Sequence, residues 1–177
     1  MAWQDEVVTF WFGLDPDQWW KVDPALDETI RGRFQDLWEE QRDAVPEAFL
    51  GSAHDALAAI ILFDQLPRNM FRGHADQFST DPLSLALAKG AVERGYDRQV
   101  PAERRIFVYM PFEHSERLED QRQCLLLVTA LGDENFIGYA KKHHDLIARF
   151  GRFPHRNAML GRSSRPDEIA AGAAVPW

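Results

Sequence analysis

The stretch Ser52-Ala53-His54-Asp55-Ala56-Leu57-Ala58-Ala59-Ile60-Ile61-Leu62-Phe63 decides the fold class of this chain. Its first four residues resemble a capping box, with Asp55 in the place of the usual Glu, and so mark the start of a helix. Apolar side chains then occupy nearly every side of that helix, and a helix that is apolar all round is buried. The sequence therefore predicts a helix at the centre of the fold.

The same start and stop signals recur along the whole chain. Asp followed by Pro is typical of an N-cap and the first helical position, and Gly is typical of a helix end. We predict one helix that ends at Gly13, one that begins at Asp23-Pro24, one that begins at Asp81-Pro82 and one from Pro101 to Pro111. A further helix is predicted from a Ser115 cap to Leu131, another from Asp133 to Phe150, and a short last one from Pro166 with Ser164 as its cap.

No segment offers material for a sheet. Runs of alternating Val, Ile and Thr bounded by turn dipeptides are absent from the sequence. The predicted fold class is all-α, with about seven or eight helices joined by short loops and packed as antiparallel hairpins. A length of 177 residues suits one core, so we expect a single helical domain over residues 1–177.

The composition excludes several classes of protein. With 45% hydrophobic and 12% aromatic residues the chain can fold alone, and its net charge of -8 disfavours nucleic acid as a partner. The longest apolar run, Ala56 to Phe63, is too short to span a membrane, and the acidic N-terminus lacks the pattern of a signal peptide. We therefore expect a soluble cytoplasmic protein with no membrane partner.

The single cysteine excludes a disulfide framework and a cysteine-based zinc site. Cys124 lies in an apolar run, where a small buried hydrophobic side chain is expected. The sequence also lacks a His-Glu-x-x-His pattern, a Walker loop, a Gly-x-Gly-x-x-Gly loop and a Gly-x-Ser-x-Gly elbow. We expect no metal site and no cofactor.

The strongest indication of a functional site is the basic segment Arg149 to Asn157, which follows the last long helix. Between Lys141 and Arg165 there are seven cations and one acid, a net charge of +6 in an acidic chain. Clustered guanidinium groups suit the recognition of phosphate or carboxylate. The same arginines could equally bridge the protein's own acids.

Three other places combine polar groups in ways that favour chemistry. Asp64 ends a very apolar helix, where the dipole disfavours an acid, so it should have a cationic partner, Arg68 or Arg72. Glu113 and His114 place a carboxylate beside an imidazole, a combination that can act as a general base or simply belong to a helix cap. His143 shares a helix face with Ile147 and should point inward, as a hydrogen-bonded core histidine or as part of a site.

One short segment echoes another. Asp64 to Gly73 and Phe153 to Arg162 both contain a proline, an asparagine, apolar residues, a glycine and arginines in similar order. This predicts the same loop device used twice.

Four ordered motifs resemble a bacterial domain-of-unknown-function family, number 924. They are Thr9-Phe10-Trp11-Phe12-Gly13, Asp64-Gln65-Leu66-Pro67-Arg68-Asn69, Tyr109 to Glu116 and Arg149 to Asn157. The resemblance spans almost the whole chain and implies a tetratricopeptide-like, right-handed array of helical hairpins, but no activity. The family more often has an acidic residue in the place of Thr9 and Phe in the place of Leu66, which we interpret as packing variation.

The leading hypothesis is a binding module whose motif loops meet in a basic, partly buried pocket for an anionic small molecule or an acidic peptide. Its predicted lining is Asp64, Arg68, Asn69, Glu113, His114, His143, Arg152, His155, Arg156 and Asn157. One alternative is a hydrolase that uses His114 or His155 with Glu113 or Asp64, and a second is a structural or oligomerisation module without a ligand. Internal pairing of every motif cation would favour the structural module.

Overall fold

The computed structural model describes residues 2–173, and every regular element in that range is helical. The α-helices are α1 Trp3–Phe12, α2 Pro24–Gln41, α3 Ala53–Ile60, α4 Leu66–Met70, α5 Asp81–Glu93, α6 Ile106–Glu113, α7 Leu118–Leu131, α8 Glu134–Phe150 and α9 Pro166–Ala170. A π-helical turn, Ile61–Gln65, joins α3 to α4 without a break. If α3, the π turn and α4 are counted as one continuous helix, residues 2–173 contain eight helices and no strand, which confirms the predicted fold class.

No helix in this range combines the length and the apolar character that crossing a bilayer requires.

The chain divides into two compact units, Met1–Pro111 and Phe112–Trp177. In the first unit the predicted central helix is confirmed, because every residue from 56 to 67 is buried. There α3 packs against α1 and α5, and α4 packs against α2. In the second unit α7 and α8 pack against each other as a hairpin, with Gly132 and Asp133 as the link between them. The tetratricopeptide-like arrangement stays a prediction.

Several predicted helix ends are confirmed by their capping contacts. The Ser52 hydroxyl accepts from the Asp55 backbone N–H at 3.0 Å, which confirms Ser52 as the cap of α3. The Asp55 carboxylate accepts from the Ser52 hydroxyl at 2.8 Å and not, as in a capping box, from the Ser52 backbone N–H. The Asp23 carboxylate accepts from the first turn of α2, with the Ala25 N–H at 2.9 Å. Gly132 and Gly151 end α7 and α8 with φ values of 78° and 68°, in the left-handed region that favours glycine.

Five predicted boundaries are wrong. The helix predicted to begin at Pro101 begins at Ile106, after a separate 3-10 turn at Ala102–Arg104. Pro111 lies inside α6 and does not end it, because the helix continues for two more residues. Ser115 does not cap α7, which begins at Leu118; its hydroxyl accepts from the Arg117 N–H and donates to Asp120 at 2.7 Å. The N-caps of α5 and α9 each lie one residue away from the predicted Asp81 and Ser164, at Thr80 and Arg165.

A proline creates the need for an unusual contact at the end of the central helix. Pro67 has no backbone N–H, so it cannot donate to the carbonyl of Phe63, four residues earlier. The Thr80 hydroxyl donates to that carbonyl instead, at 2.7 Å. Just before the proline, the Leu66 N–H bonds to the Ile61 carbonyl five residues earlier, which is the spacing of a π turn. Thr80 is thus needed inside the core because a proline stands there.

Replacing Thr80 by valine tests this contact. Thr80→Val keeps the shape of the side chain but removes the hydroxyl that donates to Phe63 and accepts from Trp38 Nε1 at 3.2 Å. Because two buried polar groups lose their partner, we expect the free energy of unfolding to fall by about 2–4 kcal/mol in urea denaturation. The same change at the exposed Thr129 of α7 should cost less than about 0.5 kcal/mol. Equal losses at both positions would contradict this role for Thr80.

Candidate functional site

The ten candidate residues fall in both units of the chain. Three of them, Asp64, Arg68 and Asn69, lie in Met1–Pro111. The other seven lie in Phe112–Trp177, namely Glu113, His114, His143, Arg152, His155, Arg156 and Asn157. All ten are buried or partly buried, so the contacts of each side chain indicate its role.

Asp64 lies in the π turn and is fully buried. The predicted ion pair with a following arginine is confirmed, with Arg68 Nη2 at 3.6 Å from Asp64 Oδ1. The Ser84 hydroxyl lies 3.5 Å from the same oxygen, and Gln65 Nε2 donates to the other one. Asp64 therefore sits in a dense set of polar contacts at the point where the helix is widest.

Arg68 is held by the protein's own acceptors. Both of its terminal nitrogens donate to Asp81 Oδ1 at 3.1 Å, and one also donates to the Gln77 carbonyl at 3.0 Å. Burial alone would lower the pKa of this guanidinium, but the charges of Asp81 and Asp64 outweigh burial and raise it. In this unit Arg68 fixes the chain between the central helix and α5.

Asn69 and Arg72 bind one buried carboxylate, that of Asp27 on α2. Asn69 Nδ2 donates to Asp27 Oδ1 at 2.8 Å, and Arg72 forms a two-pronged ion pair with Asp27 at 2.7 and 2.9 Å. Burial raises the pKa of Asp27, but the hydrogen bonds from Arg72 and Asn69 outweigh it and lower the pKa. The second predicted partner of Asp64, Arg72, thus has a different acid.

A second buried carboxylate organises the basic segment of the other unit. Glu168 on α9 is completely buried and accepts from Arg152 at 2.6 and 2.9 Å. Asn157 Nδ2 donates to it at 3.0 Å, and the Arg165 backbone N–H donates at 2.7 Å. The hydrogen bonds from Arg152 outweigh burial and lower the pKa of Glu168 to about 2. Glu168 is therefore charged at neutral pH and binds two arginines.

Glu116 binds Arg162 in a similar ion pair. The two side chains form a two-pronged ion pair at 2.7 and 2.9 Å, and the Phe153 backbone N–H also donates to Glu116 at 2.7 Å. Arg162 Nε in turn donates to the Asn157 amide oxygen at 3.0 Å. Three of the five arginines between residues 149 and 165 are thus held by two acids of the same unit, Glu116 and Glu168.

The two echoing segments share one contact, in which an asparagine binds a buried carboxylate. Asn69 donates to Asp27, and Asn157 donates to Glu168. The guanidinium on Asp27 is that of Arg72, within the first segment, whereas Arg152, which binds Glu168, precedes the second segment. The similarity between the two segments therefore reflects a shared way of anchoring a loop.

The remaining candidates form a cluster in the second unit. This histidine–arginine cluster consists of Glu113, His114, His143, Phe153, His155 and Arg156. His143 lies at its centre, with Nδ1 at 2.9 Å from the Tyr139 carbonyl and 3.1 Å from Glu113 Oε1. The ring centres of His143 and His114 are 6.4 Å apart, and those of His143 and Phe153 are 5.5 Å apart. The predicted inward orientation of His143 is confirmed, because its side chain is only 15% exposed.

Phe153 links the remaining members of the cluster. The guanidinium of Arg156 lies 4.5 Å from the centre of its ring, and the His155 ring lies 5.6 Å from it. Arg156 is 6% exposed, which is a high degree of burial for an arginine. Within residues 2–173 no group of three or more His, Cys, Asp or Glu side chains is placed to hold a metal ion.

Burial changes the pKa of two side chains in and beside the cluster, His143 and Cys124. It lowers the pKa of the His143 imidazole to about 3, against a hydrogen bond to the Tyr139 carbonyl that raises it. Three nearby side chains lower this pKa further, namely those of His114, Arg156 and His155. Burial also raises the pKa of the Cys124 thiol, whose sulfur lies 4.0 Å from Glu113 Oε2. At neutral pH the imidazole is therefore neutral and the thiol keeps its proton.

A sequence profile described as "bacterial protein of unknown function (DUF924)" matches residues 7–171. The chain belongs to this family. It is similar to a solved structure titled as a protein of unknown function from Agrobacterium tumefaciens, with 36% sequence identity, 98% coverage of both chains and a TM-score of 0.89. No curated protein matches the chain.

In this DUF924 chain, sequence reasoning missed Gln121, a residue that supports the cluster. Gln121 on α7 is completely buried, and its Nε2 donates to the backbone carbonyls of Glu113 at 2.6 Å and Ser115 at 2.7 Å. It thereby holds the end of α6 from which Glu113 and His114 project. The signal was available, because Gln121, Cys124 and Val128 follow the i, i+3, i+7 spacing of a buried helix face. A polar residue on such a face must satisfy buried groups.

The ion pairs of the buried Glu168 predict that the free energy of unfolding falls in acid. Its pKa in the folded protein is about 2, below the ordinary value of 4.5, so its stabilisation is present above the ordinary value and is lost as the pH falls towards 2. Glu168→Gln removes that contribution. We expect the advantage of the wild type over this variant in urea denaturation to shrink steadily between about pH 5 and pH 2.5.

A matched control comes from Glu134, an exposed residue in the first turn of α8. Glu134→Gln should leave the shape of the stability–pH curve close to that of the wild type. An advantage of wild type over Glu168→Gln that stays constant down to about pH 2.5 would show that Glu168 is not held by its ion pairs.

Proposed function

We propose that this protein is a binding module whose histidine–arginine cluster holds an anionic small molecule or an acidic peptide. The observation that carries the proposal is the grouping of basic side chains in a mostly buried place. Arg156 and His155 lie against the ring of Phe153, His143 lies beside the same ring, and His114 lies beside His143. A guanidinium attracts a negative charge, and the attraction is stronger where water is excluded.

The other arginines of the basic segment support the proposed site without entering it. Arg152 and Arg165 bind Glu168, and Arg162 binds Glu116. Breaking a buried pair on one side is costly, so these contacts hold the loop that carries Arg156 in one conformation. We assign recognition of the anion to Arg156 because it belongs to the cluster, and a supporting role to the other three.

Arg156 has a geometry that suits this role. Its guanidinium lies over the ring of Phe153, at 4.5 Å from the ring centre. Stacking on an aromatic ring fixes the guanidinium plane and leaves its N–H groups directed within that plane. Carboxylate and phosphate oxygens bind such an edge two at a time. An anion beside Arg156 would also lie close to the histidines of the cluster.

We further propose that the protein works in the cytoplasm. Cys124 is the one cysteine of the chain, and it is buried and in no disulfide. A free thiol suits a compartment that keeps cysteines reduced.

A thermal-shift panel of phosphate, sulfate and dicarboxylates at constant ionic strength tests the proposal, because constant ionic strength removes general screening. A ligand that binds only the folded state, at 100 times its dissociation constant, adds about 2.7 kcal/mol and raises the melting temperature. Arg156→Ala should abolish that rise, since the alanine cannot pair with an anion.

Arg149→Ala is the matched control. Arg149 is exposed and also stacks on a phenylalanine, with its guanidinium 4.8 Å from the Phe150 ring centre. This variant loses the same kind of stacking but should keep the full response to the anion. If no anion in the panel stabilises the wild type more than Arg156→Ala, the structural module becomes the better description of the protein.

A second candidate function, a hydrolase, is favoured by one contact. Glu113 Oε1 lies 3.1 Å from His143 Nδ1, and a carboxylate in that position holds an imidazole in the tautomer that serves as a general base. The sequence pointed to His114 or His155 as the base, whereas this contact favours His143. The Glu113–His143 pair is therefore the one to test for catalysis.

Hydrolysis of activated carboxylate and phosphate esters provides that test. If the pair is catalytic, Glu113→Gln should lower kcat by about 100-fold or more, because the neutral amide no longer fixes the tautomer or stabilises the imidazolium. Glu119→Gln, an exposed change in the first turn of α7, should leave kcat unaltered. Hydrolysis that is equally fast in wild type and Glu113→Gln would exclude this mechanism.

A further inference from the structure

The loop between α5 and α6 concentrates positive charge that the protein does not bind with its own acids. This arginine loop, residues 94–105, contains four arginines, namely Arg94, Arg98, Arg104 and Arg105. Within residues 2–173 no carboxylate lies at ion-pair distance from any of the four. The exposed Arg33 of α2, by contrast, pairs with Glu6 at 3.0 Å. Four arginines without an acid are therefore unexpected in a chain with a net charge of -8.

The two acids of the arginine loop leave its arginines unpaired. Asp97 is buried and accepts from the Tyr109 hydroxyl at 2.8 Å. Glu103 is exposed and forms no ion pair in the described part of the chain. Burial and Asp97 raise the pKa of the Tyr109 hydroxyl. The positive charges of Arg105 and Arg98 act against that rise, so both guanidinium groups lie close to the same hydroxyl.

Two arginines of the loop have hydrogen-bond donors to offer a partner. Arg98 and Arg104 donate to no acceptor among residues 2–173. Arg98 is exposed, and Arg104 is partly exposed, with its guanidinium 4.4 Å from the ring centre of Phe12. Stacking on a ring fixes the guanidinium plane and leaves its N–H edge directed outward within that plane. A carboxylate binds such an edge through both oxygens.

A row of aromatic rings continues from Arg104. The ring centres of Phe12 and Trp19 are 5.9 Å apart, and those of Trp19 and Trp20 are 6.2 Å apart. The side chain of Trp20 is 50% exposed, and that of Val22 is 67% exposed. Exposed aromatic and apolar side chains next to arginines are typical of surfaces that bind other proteins. About five residues of an extended chain would span the row from Arg104 to Trp20.

We propose that the arginine loop and this aromatic row form a docking surface for a short segment of another protein, one that carries acidic side chains beside an apolar one. The carboxylates bind Arg98 and Arg104, and the apolar side chain packs on Trp20. Charge complementarity identifies the partner, because these arginines have no acid of their own. The surface belongs to the unit Met1–Pro111, and it does not depend on the histidine–arginine cluster.

Acids beside the tryptophans favour a peptide over a nucleic acid. Asp15 and Asp23 lie in the chain on either side of Trp19-Trp20. A nucleic acid has a phosphate at every nucleotide, so a strand that stacks on the tryptophans would bring phosphates near these acids. A peptide can instead place its carboxylates at the arginines and an uncharged side chain at the tryptophans.

Selection from a display library of random peptides of about twelve residues, with the full chain as bait, tests the proposal. We expect the selected peptides to be enriched in Asp and Glu, with Phe, Trp or Leu within about five positions of the acids. A selection without that enrichment would overturn the proposal. Single-stranded oligothymidine is the probe for the nucleic acid. If it binds the wild type more tightly than the best selected peptide does, the surface recognises nucleic acid and the proposal is wrong.

Two double variants of equal charge locate the binding. Arg98→Ala/Arg104→Ala should weaken binding of the best selected peptide at least about tenfold in fluorescence anisotropy, because two charged-group hydrogen-bonding partners are lost. The control is Arg122→Ala/Arg149→Ala, at exposed positions of α7 and α8 without an acidic partner in residues 2–173. It should change the affinity by about twofold or less. Equal losses in the two variants would show a general effect of charge and would overturn the proposal.

Trp20→Ala tests the apolar end of the surface. We expect it to weaken binding of the selected peptide about fivefold, since buried apolar area is lost. Replacing the apolar residue of the peptide by serine should have the same effect on the wild type and no further effect on Trp20→Ala. Full losses from both changes together would place the apolar residue elsewhere and contradict the proposed surface.

Two further outcomes would assign the binding to something else. If the peptide is lost in Arg156→Ala but kept in Arg98→Ala/Arg104→Ala, it binds the histidine–arginine cluster, which overturns this proposal and supports the proposed function. If sedimentation shows a dimer for the wild type and a monomer for Arg98→Ala/Arg104→Ala, a second copy of the chain occupies the surface and the proposed partner is wrong.

Discussion

Backbone carbonyls that lose their usual donors inside the core are the constraint on which much of this structure depends. A proline within a helix removes an N–H, and a helix end leaves carbonyls without partners, yet a buried carbonyl must be satisfied. Here side chains supply the donors. Thr80 donates to Phe63, and Gln121 donates to the end of α6. Arg165 donates to the carbonyl of Phe150, four residues before Pro154. The polar residues of the core are therefore placed by the backbone as much as by any ligand.

Buried carboxylates are a second set of polar groups that the core must satisfy. The chain has a net charge of -8, yet several of its acids are directed inward, where arginines meet them. Asp27 and Glu168 each collect an asparagine and at least one arginine, and the hydrogen bonds keep both acids charged despite burial. Much of the basic segment therefore stabilises the loop itself. The proposed anion site lies in another part of the motif, where Arg156 stacks on Phe153.

Local signals in the sequence were sufficient for the helices and for some of the charge pairs. The cap at Ser52 and the Asp23-Pro24 start were predicted because a cap bonds to residues only two or three positions away. The helix dipole predicted a cationic partner for Asp64 with Arg68 and Arg72 both open, and the structure shows Arg68. The partner of Arg152 could not be found in this way, because Glu168 lies on α9, sixteen positions further along the chain. The end of α6 was predicted wrongly at Pro111, because the sequence does not distinguish a proline inside a helix from one that ends it.

The π turn at Ile61–Gln65 has a consequence for the order of the motif that follows it. One residue more than an ordinary turn is accommodated there, so every later side chain is rotated by about 100° relative to a regular α-helix. That offset sets the directions in which Arg68 and Asn69 leave the helix axis, towards Asp81 and Asp27. The turn thus acts as a phase shift built into the chain. A single-residue deletion between positions 61 and 65 that closes the π turn into an ordinary turn would therefore leave both side chains facing their acids, whereas a regular α-helix of the full length would turn them away.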